Sequence, residues 1–150
     1  MTRRPYSYRD DPVVPSFPDD RPLILFDGDC VLCSGSARFI LRHDRPGRFR
    51  LAPVQSPLGQ ALLAHFGVDP ADPSTMLLVQ DGEAHQRSEA VLRIAAGLPA
   101  PISAASLLRM TPIGWRDAAY LWVARRRRRL TGRQTWCAKP DKASADRILA

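Results

Sequence analysis

Two cysteines at C-x-x-C spacing, Cys30 and Cys33, are the residues of this chain best suited to chemistry. A thiolate is the nucleophile in thiol-disulfide exchange, and two cysteines one helical turn apart can pass a mixed disulfide from the first sulfur to the second. We therefore predict that Cys30 is the exposed attacking thiol and that Cys33 is the shielded, resolving thiol. The same spacing also occurs in half of a zinc site and in cysteines that only pack.

Two acidic residues accompany the cysteines. Asp29 directly precedes Cys30, where a bare carboxylate opposes ionisation of the thiol unless it caps the helix and accepts a backbone hydrogen bond. Asp27 ends the preceding apolar run. A half-buried acid there can exchange protons with Cys33 during resolution, or it can simply accept hydrogen bonds from turn amides. Both interpretations of Asp27 stay open at this point.

Hydrophobic periodicity divides the chain into alternating strands and helices. An apolar run over 22–27 predicts a strand buried on both faces, and an amphipathic helix follows it as far as Pro46-Gly47. Alternation over 48–54 predicts a second strand near a sheet edge. The next helix is predicted between Ser56-Pro57, as N-cap and first helical residue, and Gly67, as C-cap.

The second half of the chain predicts a hairpin followed by helices. A strand over 75–80 turns at Asp81-Gly82 into a return strand over 83–87. Ser88 is predicted to cap a helix that buries Val91, Leu92, Ala95 and Leu98. A short amphipathic piece over 103–110 and a helix from Thr111-Pro112 to Gly132 are predicted to complete the chain.

The resulting order, β-α-β-α-β-β-α, is that of a thioredoxin-like α/β fold, for which we expect three layers and the sheet order 2-1-3-4. Two β-α-β crossings predict that the first three strands are parallel, and the hairpin adds an antiparallel fourth strand. We predict a disordered or loosely draped arm over 1–21, one domain with extra carboxyl-terminal helices over 22–135, and a tail over 136–150.

Composition limits the class of protein. The chain has 150 residues, 45% of them hydrophobic, and no apolar run approaches the roughly 18 residues of a transmembrane helix. Met1 to Arg21 lacks the apolar segment of a signal peptide, which predicts a cytoplasmic protein. The odd number of cysteines, 3, argues against a secreted disulfide scaffold.

Much of the net charge of +7 comes from consecutive arginines, Arg125 to Arg129. Cations are favourable at a helix carboxyl end, so a solvated helix end is the simplest interpretation, and an acidic partner, nucleic acid or a membrane surface is the alternative. On the same helix, the aromatic residues Trp115, Tyr120 and Trp122 are predicted to lie in the core or in an interface. The three histidines, His43, His65 and His85, are predicted to lie at the surface.

The stretch from Phe26 to Cys33 resembles the DCC family of thiol-disulfide oxidoreductases, because Asp27, Cys30 and Cys33 match its Asp-x-x-Cys-x-x-Cys motif. Similarity over about 22–140 continues in short segments: Gly35-Ser36, Gln55-Ser56, Gly59-Gln60-Ala61-Leu62-Leu63, Asp81-Gly82, Ser88-Glu89-Ala90 and Arg116-Asp117. The resemblance implies a thioredoxin-like fold and exchange with a disulfide-containing protein or a small thiol. That cycle needs no cofactor, since its electrons come from another thiol.

The residues before the third strand are candidates for docking the substrate. Thioredoxins place a cis-proline there, facing the dithiol, whereas the resemblance puts Ser74 at that position, followed by Thr75. The rival hypothesis is a non-catalytic module in which Cys30, Cys33 and Cys137 hold zinc and the arginine run binds an acidic partner or nucleic acid.

Overall fold

The computed structural model describes residues 4–27, 31–44, 47–69, 76–131 and 148–149, and the side chains of 31–34 and 127–131 lie outside that description. Four strands form one sheet: β1 Leu23–Phe26, β2 Arg50–Pro53, β3 Leu77–Gln80 and β4 Glu83–Gln86. The helices are α1 Val31–His43, α2 Pro57–Phe66, α3 Arg87–Ala96 and α4 Ile113–Thr131, and two 3-10 helices cover Ser7–Asp10 and Ile102–Met110. The strand order β2-β1-β3-β4 confirms the predicted thioredoxin-like α/β topology.

The direction of β3 differs from the prediction. β2 is parallel to β1, as predicted, but β3 is antiparallel to β1 and pairs Leu77 with Leu25. Roughly ten residues separate Gly67 from Leu77, and such a length can span about 33 Å. The chain can therefore return to the carboxyl end of β1 before it enters the sheet, so a helix between two strands does not by itself make them parallel.

Apolar side chains pack on both faces of the sheet. One cluster joins the sheet to α1 and α3 through Ile24, Phe26, Ala37, Ile40, Leu51, Leu78, Ala90 and Ile94. The other joins it to α2 through Leu23, Leu25, Val54, Leu58, Leu62, Leu77 and Val79. Successive residues of β1 thus belong to opposite clusters and all are buried, which explains why this strand is a continuous apolar run in the sequence.

Local signals fix the ends of α2 and the β3–β4 turn as predicted. Ser56 Oγ accepts a hydrogen bond from the Gly59 amide at 3.0 Å, and Gly67 ends the helix with a left-handed φ of 69°. Asp81 and Gly82 both have positive φ, 53° and 78°, as a two-residue type I′ hairpin turn requires.

The start of α3 differs from the prediction that Ser88 is its N-cap. The helix begins at Arg87, and the preceding Gln86 makes no side-chain cap hydrogen bond. Ser88 Oγ donates instead to the carboxylate of Asp117 on α4. The Ser88 hydroxyl therefore bonds to a residue distant in sequence instead of capping the backbone at the start of α3.

The buried face of α3 is also rotated from the predicted one. Leu92, Ala95 and Leu98 are buried as predicted, but Val91 is exposed. Ala90 and Ile94 fill the core in its place.

The amino-terminal arm, residues 4–22, packs against the α2 side of the sheet, so the predicted disorder is wrong for this described segment. Tyr8 is only 3% exposed and stacks on Phe17 with ring centroids 5.3 Å apart. Its hydroxyl donates to Asp19 at 3.0 Å. Burial, followed by the hydrogen bond and charge of Asp19, raises the pKa of Tyr8 above its ordinary value.

His65 of α2 forms hydrogen bonds with the same arm. It is buried, so the prediction that it lies at the surface is wrong. Its side chain is 5% exposed, with Nδ1 2.7 Å from Asp11 Oδ2 and Nε2 2.9 Å from Ser7 Oγ. This pattern repeats the Ser-His-Asp hydrogen bonds of serine hydrolases. Because the imidazole lies buried beneath the arm, we interpret the three residues as an anchor.

The carboxyl-terminal extension, Ile102–Thr131, is attached through charged groups and through Ile102, which packs against the core cluster of α1 and α3. The Glu89 carboxylate of α3 lies 2.8 Å from Arg93, 3.0 Å from Arg109 and 3.4 Å from Arg116. Burial alone raises the pKa of Glu89, but the hydrogen bond from Arg93 and the charges of the other two arginines outweigh burial and lower it. These ion pairs connect α3 to both helical segments of the extension.

The tryptophans of the extension are exposed and therefore do not lie in the core. The other half of the prediction, that they lie in an interface, stays a prediction. Trp115 is 76% exposed and Trp122 is 58% exposed, whereas Ala124 of the same helix is buried. Among the described residues, no helix has both the length and the hydropathy needed to cross a bilayer.

Candidate functional site

The C-x-x-C segment lies between the carboxyl end of β1 and the amino end of α1. β1 ends at Phe26 and α1 begins at Val31, so Cys30 directly precedes the first helical residue and Cys33 is within the first helical turn. Asp29, Cys30 and the side chain of Cys33 lie outside the described residues. The roles assigned to these three residues therefore stay predictions.

The amino end of α1 provides an electrostatic setting that favours a thiolate. The first backbone amides of a helix have no partner within the helix, and they carry part of the positive end of the helix dipole. The first turn of α1 contains no acidic residue, and Arg42 and His43 lie in its last turn. The backbone at this helix start therefore favours a negative charge placed beside it.

Asp27 is the described acidic residue next to the cysteine segment. It is 9% exposed at the end of β1, and its Oδ1 accepts a hydrogen bond from Gln55 Nε2 at 2.8 Å. Gln55 follows β2, and parallel strands bring their carboxyl ends to the same edge of a sheet. No role was predicted for Gln55 from the sequence. Its position just after the second predicted strand is the signal that could have identified it.

Two further segments reach the same edge of the sheet. Leu77 pairs with Leu25 on one side and with Gln86 on the other. Met76 and Arg87, which adjoin these paired residues in sequence, therefore lie near the edge where β1 ends. Had β3 been parallel to β1, Met76 would lie at the opposite end of the sheet.

The proposed docking residues, Ser74 and Thr75, precede Met76 in sequence and lie outside the described residues. Their role stays a prediction, supported by the antiparallel direction of β3.

Arg87 is a residue that the sequence did not single out. Its φ of 57° lies in the left-handed region, which a side chain other than glycine rarely adopts. Its Nε is buried and has no hydrogen-bond partner among the described residues. No local sequence signal predicts this conformation, because it arises where β4 passes directly into α3.

An apolar groove of about 520 Å³ opens between α1 and α3. Its lining includes Ser36 and Phe39 of α1, Val91 and Ala95 of α3, and Met76. Ser36 lies one helical turn after Cys33, so the groove begins beside the cysteine-bearing turn. A groove of this volume is large enough for a small ligand, and its lining suits an apolar group rather than a charged one.

Metal-binding residues do not gather in the described part of the chain, where no group of three or more His, Cys, Asp or Glu side chains is arranged to hold an ion. The zinc hypothesis rests on Cys30, Cys33 and Cys137, whose side chains lie outside that part. At the arginine run, Arg125 and Arg126 are exposed, and the Arg126 guanidinium lies 4.2 Å from the centroid of the Trp122 ring.

Comparisons with known proteins agree with the motif. Residues 24–133 match the family described as DCC1-like thiol-disulfide oxidoreductase. A DCC family protein of Arabidopsis thaliana, named as chloroplastic, is 38% identical over 120 residues, which cover 79% of this chain and 70% of that protein. The uncharacterized protein YuxK of Bacillus subtilis is 29% identical over 127 residues, covering 85% and 93% of the two chains. No solved structure matches the chain. With a family match over most of its length, the chain belongs to the DCC1-like thiol-disulfide oxidoreductase family.

Proposed function

We propose that this protein exchanges thiols and disulfides directly through Cys30 and Cys33. The Cys30 thiolate attacks a substrate disulfide, forms a mixed disulfide and releases one substrate thiolate. Cys33 then attacks the Cys30 sulfur, which releases the second substrate thiol and leaves a Cys30–Cys33 disulfide. The dithiol gives two electrons to the substrate. A donor dithiol, or two donor thiols, then reduces the Cys30–Cys33 disulfide and is itself oxidised to a disulfide. The substrate is a disulfide-containing protein or a small disulfide.

The observation that carries the proposal is the place of the C-x-x-C segment in the fold. The segment joins the buried strand β1 to the amino end of α1 in a chain of this family. In sequence, Cys30 directly precedes α1 and Cys33 is its third residue. This order supports a nucleophile beside the positive end of a helix dipole, followed by a second thiol. A nucleophile followed by a resolving thiol is the chemistry that this arrangement favours.

Asp27 is assigned the proton transfer with Cys33 during resolution. Its burial at the end of β1 and its hydrogen bond from Gln55 support a fixed carboxylate near the helix start. We assign Asp29 to the N-cap position of α1. We assign Ser74 and Thr75 to backbone contacts with the substrate. A cytoplasmic location is part of the same proposal, while the Arabidopsis thaliana relative is named as chloroplastic.

Cysteine variants test the cycle in a disulfide reduction assay of the full chain. Cys30→Ser is expected to reduce the rate to the uncatalysed level. Cys33→Ser is expected to retain the attack but to accumulate a covalent mixed disulfide, measured by intact mass. The matched control Cys137→Ser should react as the parent does. A Cys30 thiol with an ordinary pKa near 8.5, or stoichiometric zinc in the purified protein, contradicts the proposal.

The Asp27→Asn variant tests the proton transfer separately. Loss of a positioned acid or base typically slows the assisted step on the order of 100-fold, so the mixed disulfide should persist while the initial attack keeps its rate. The measurement is the rate of each step as a function of pH. Gln55→Leu is the second variant, because it removes the Gln55 hydrogen bond to the carboxylate. An unchanged pH profile of resolution in Asp27→Asn assigns Asp27 to the turn alone.

A further inference from the structure

The carboxyl-terminal extension exposes large apolar side chains along much of its length. Met110 is 86% exposed, and Leu107, Leu108, Ile113, Trp115 and Trp122 are also exposed. Proteins seldom leave a contiguous apolar surface of this kind uncovered unless it binds a partner or a membrane. The identity of that partner follows from how these side chains are arranged and from the charge beside them.

The tryptophans of α4 lie on one stripe of the helix. At 100° per residue, positions 115, 119, 122 and 126 fall within about 60° of one another. Tyr120 and Ala124, which are half-buried and buried, lie on the other side of the helix. The outward stripe therefore carries Trp115, Ala119 and Trp122 and ends at Arg126.

Cations lie at one end of this stripe. Arg125 and Arg126 are exposed, the Arg126 guanidinium lies 4.2 Å from the Trp122 ring, and the run continues in sequence to Arg129. Among the described residues, no acidic side chain forms an ion pair with Arg125 or Arg126. A partner that fits must therefore supply negative charge next to an apolar phase.

The apolar surface of the extension is continuous with the groove beside α1. Leu108 and Trp115 line a shallow groove of about 380 Å³ together with Val91. Val91 also lines the groove next to the cysteine-bearing helix. One side chain thus borders both surfaces, so a partner bound along the extension lies next to the groove between α1 and α3.

We propose that the extension binds peripherally to the surface of an anionic lipid bilayer. Tryptophan side chains bury at the headgroup level of a bilayer, and arginine side chains bind lipid phosphates. The stripe therefore matches both the apolar boundary and the charged headgroups of that surface. A nucleic acid would use the arginines and the flat rings, but it offers no apolar phase to Leu107, Leu108 and Met110. The proposal does not depend on the redox activity of the cysteines.

Vesicle binding by the full chain tests the proposal. We expect at least tenfold stronger binding to phosphatidylcholine vesicles with about 30 mol% phosphatidylserine than to phosphatidylcholine alone. Binding should weaken as salt rises from about 0.05 to about 0.5 M. Tryptophan emission should shift to shorter wavelength on binding, because Trp115 and Trp122 leave water.

Two double variants separate the charged from the apolar contribution. Arg125→Glu/Arg126→Glu and Trp115→Ser/Trp122→Ser should each weaken binding to the anionic vesicles at least tenfold. The second pair should also remove most of the emission shift. Circular dichroism verifies that each variant remains folded, which is expected because the substituted side chains are exposed.

Matched controls place the same chemical changes elsewhere on the surface. Arg42→Glu/Arg48→Glu makes an equal change in net charge at exposed positions, and Val13→Ser removes an exposed apolar side chain of the arm. Both controls should bind within about threefold of the parent. Equal binding to both vesicle types, variants no weaker than these controls, tighter binding to a single-stranded oligonucleotide, or a dimer abolished by Trp115→Ser/Trp122→Ser without vesicle binding would each overturn the proposal.

Discussion

The amino-terminal arm and the carboxyl-terminal extension both lie outside the strand and helix core, but they are attached to it differently. The arm inserts an aromatic side chain, Tyr8, into a core cluster and fixes itself to the buried His65. The extension is attached through the ion pairs of Glu89, the hydrogen bond from Ser88 to Asp117 and the partly buried Ile102. It leaves its tryptophans in solvent.

The comparison shows that one buried aromatic ring can stabilise the fold more than several exposed aromatic rings. Burial of an aromatic side chain of 150–250 Å² stabilises a fold by at most about 4 to 6 kcal/mol at 25 cal/mol per Å². An ion pair that remains partly exposed contributes about 0 to 1 kcal/mol. The polar, proline-rich arm is therefore expected to be bound to the core more firmly than the more apolar extension.

The largest expected effect is that of removing the ring of Tyr8. Tyr8→Ala should lower the free energy of unfolding by about 3 to 5 kcal/mol, because it leaves a cavity beneath the arm. Trp115→Ala removes a larger ring, yet it should change the free energy of unfolding by less than about 0.5 kcal/mol, because that ring is exposed. Urea unfolding of the two variants measures the difference, and equal losses would refute the comparison.

Two neighbouring aspartates of the arm provide the next test. Asp11→Ala removes the partner of buried His65 Nδ1 and should cost about 1 to 3 kcal/mol of unfolding free energy. Asp10 pairs with Arg4 at 2.7 Å, but both side chains are largely exposed, so Asp10→Ala should cost less than about 0.5 kcal/mol. Proteolysis of the arm, followed with urea unfolding, should show faster cleavage in Asp11→Ala alone.

The smallest effect is expected where the extension is attached. Because the folded-state pKa of Glu89 is lowered from 4.5, its contribution is present above about pH 4.5 and is lost as pH falls through the lowered value. Glu89→Gln should lower the free energy of unfolding by about 1 kcal/mol at pH 7 and should remove this acid dependence. The control Glu83→Gln, at an exposed position of β4, should leave both unchanged. If the free energy of unfolding of Glu89→Gln still fell with pH as much as in the parent, other carboxylates would be responsible for the acid dependence.

The elements that the sequence predicted correctly depend on short stretches of chain. Ser56-Pro57 and Gly67 bound α2 because a side-chain cap and a left-handed glycine act within one helical turn. Asp81 and Gly82 specify the hairpin because only two residues make the turn. The C-x-x-C segment was placed correctly between β1 and α1, since an apolar run followed by an amphipathic period is itself a local pattern.

The predictions that failed depend on partners far along the chain. Ser88 was predicted to cap α3, but its hydroxyl reaches Asp117, 29 residues away. The hydrogen bond from Gln55 to Asp27, which no prediction included, also joins residues 28 apart, and the parallel pairing of β1 with β2 brings them together. Polar composition predicted a disordered arm because it contains no information on the cavity that Tyr8 fills.

By itself the sequence determined the order of strands and helices, the family motif, and the position of two cysteines at the junction of a buried strand and a helix. These features follow from backbone preferences and side-chain periods that act over a few residues. Only the tertiary structure decided the antiparallel direction of β3, the burial of His65 and the exposure of Trp115. Each of these features depends on contacts between segments that are distant in sequence, and a local pattern contains no information on such contacts.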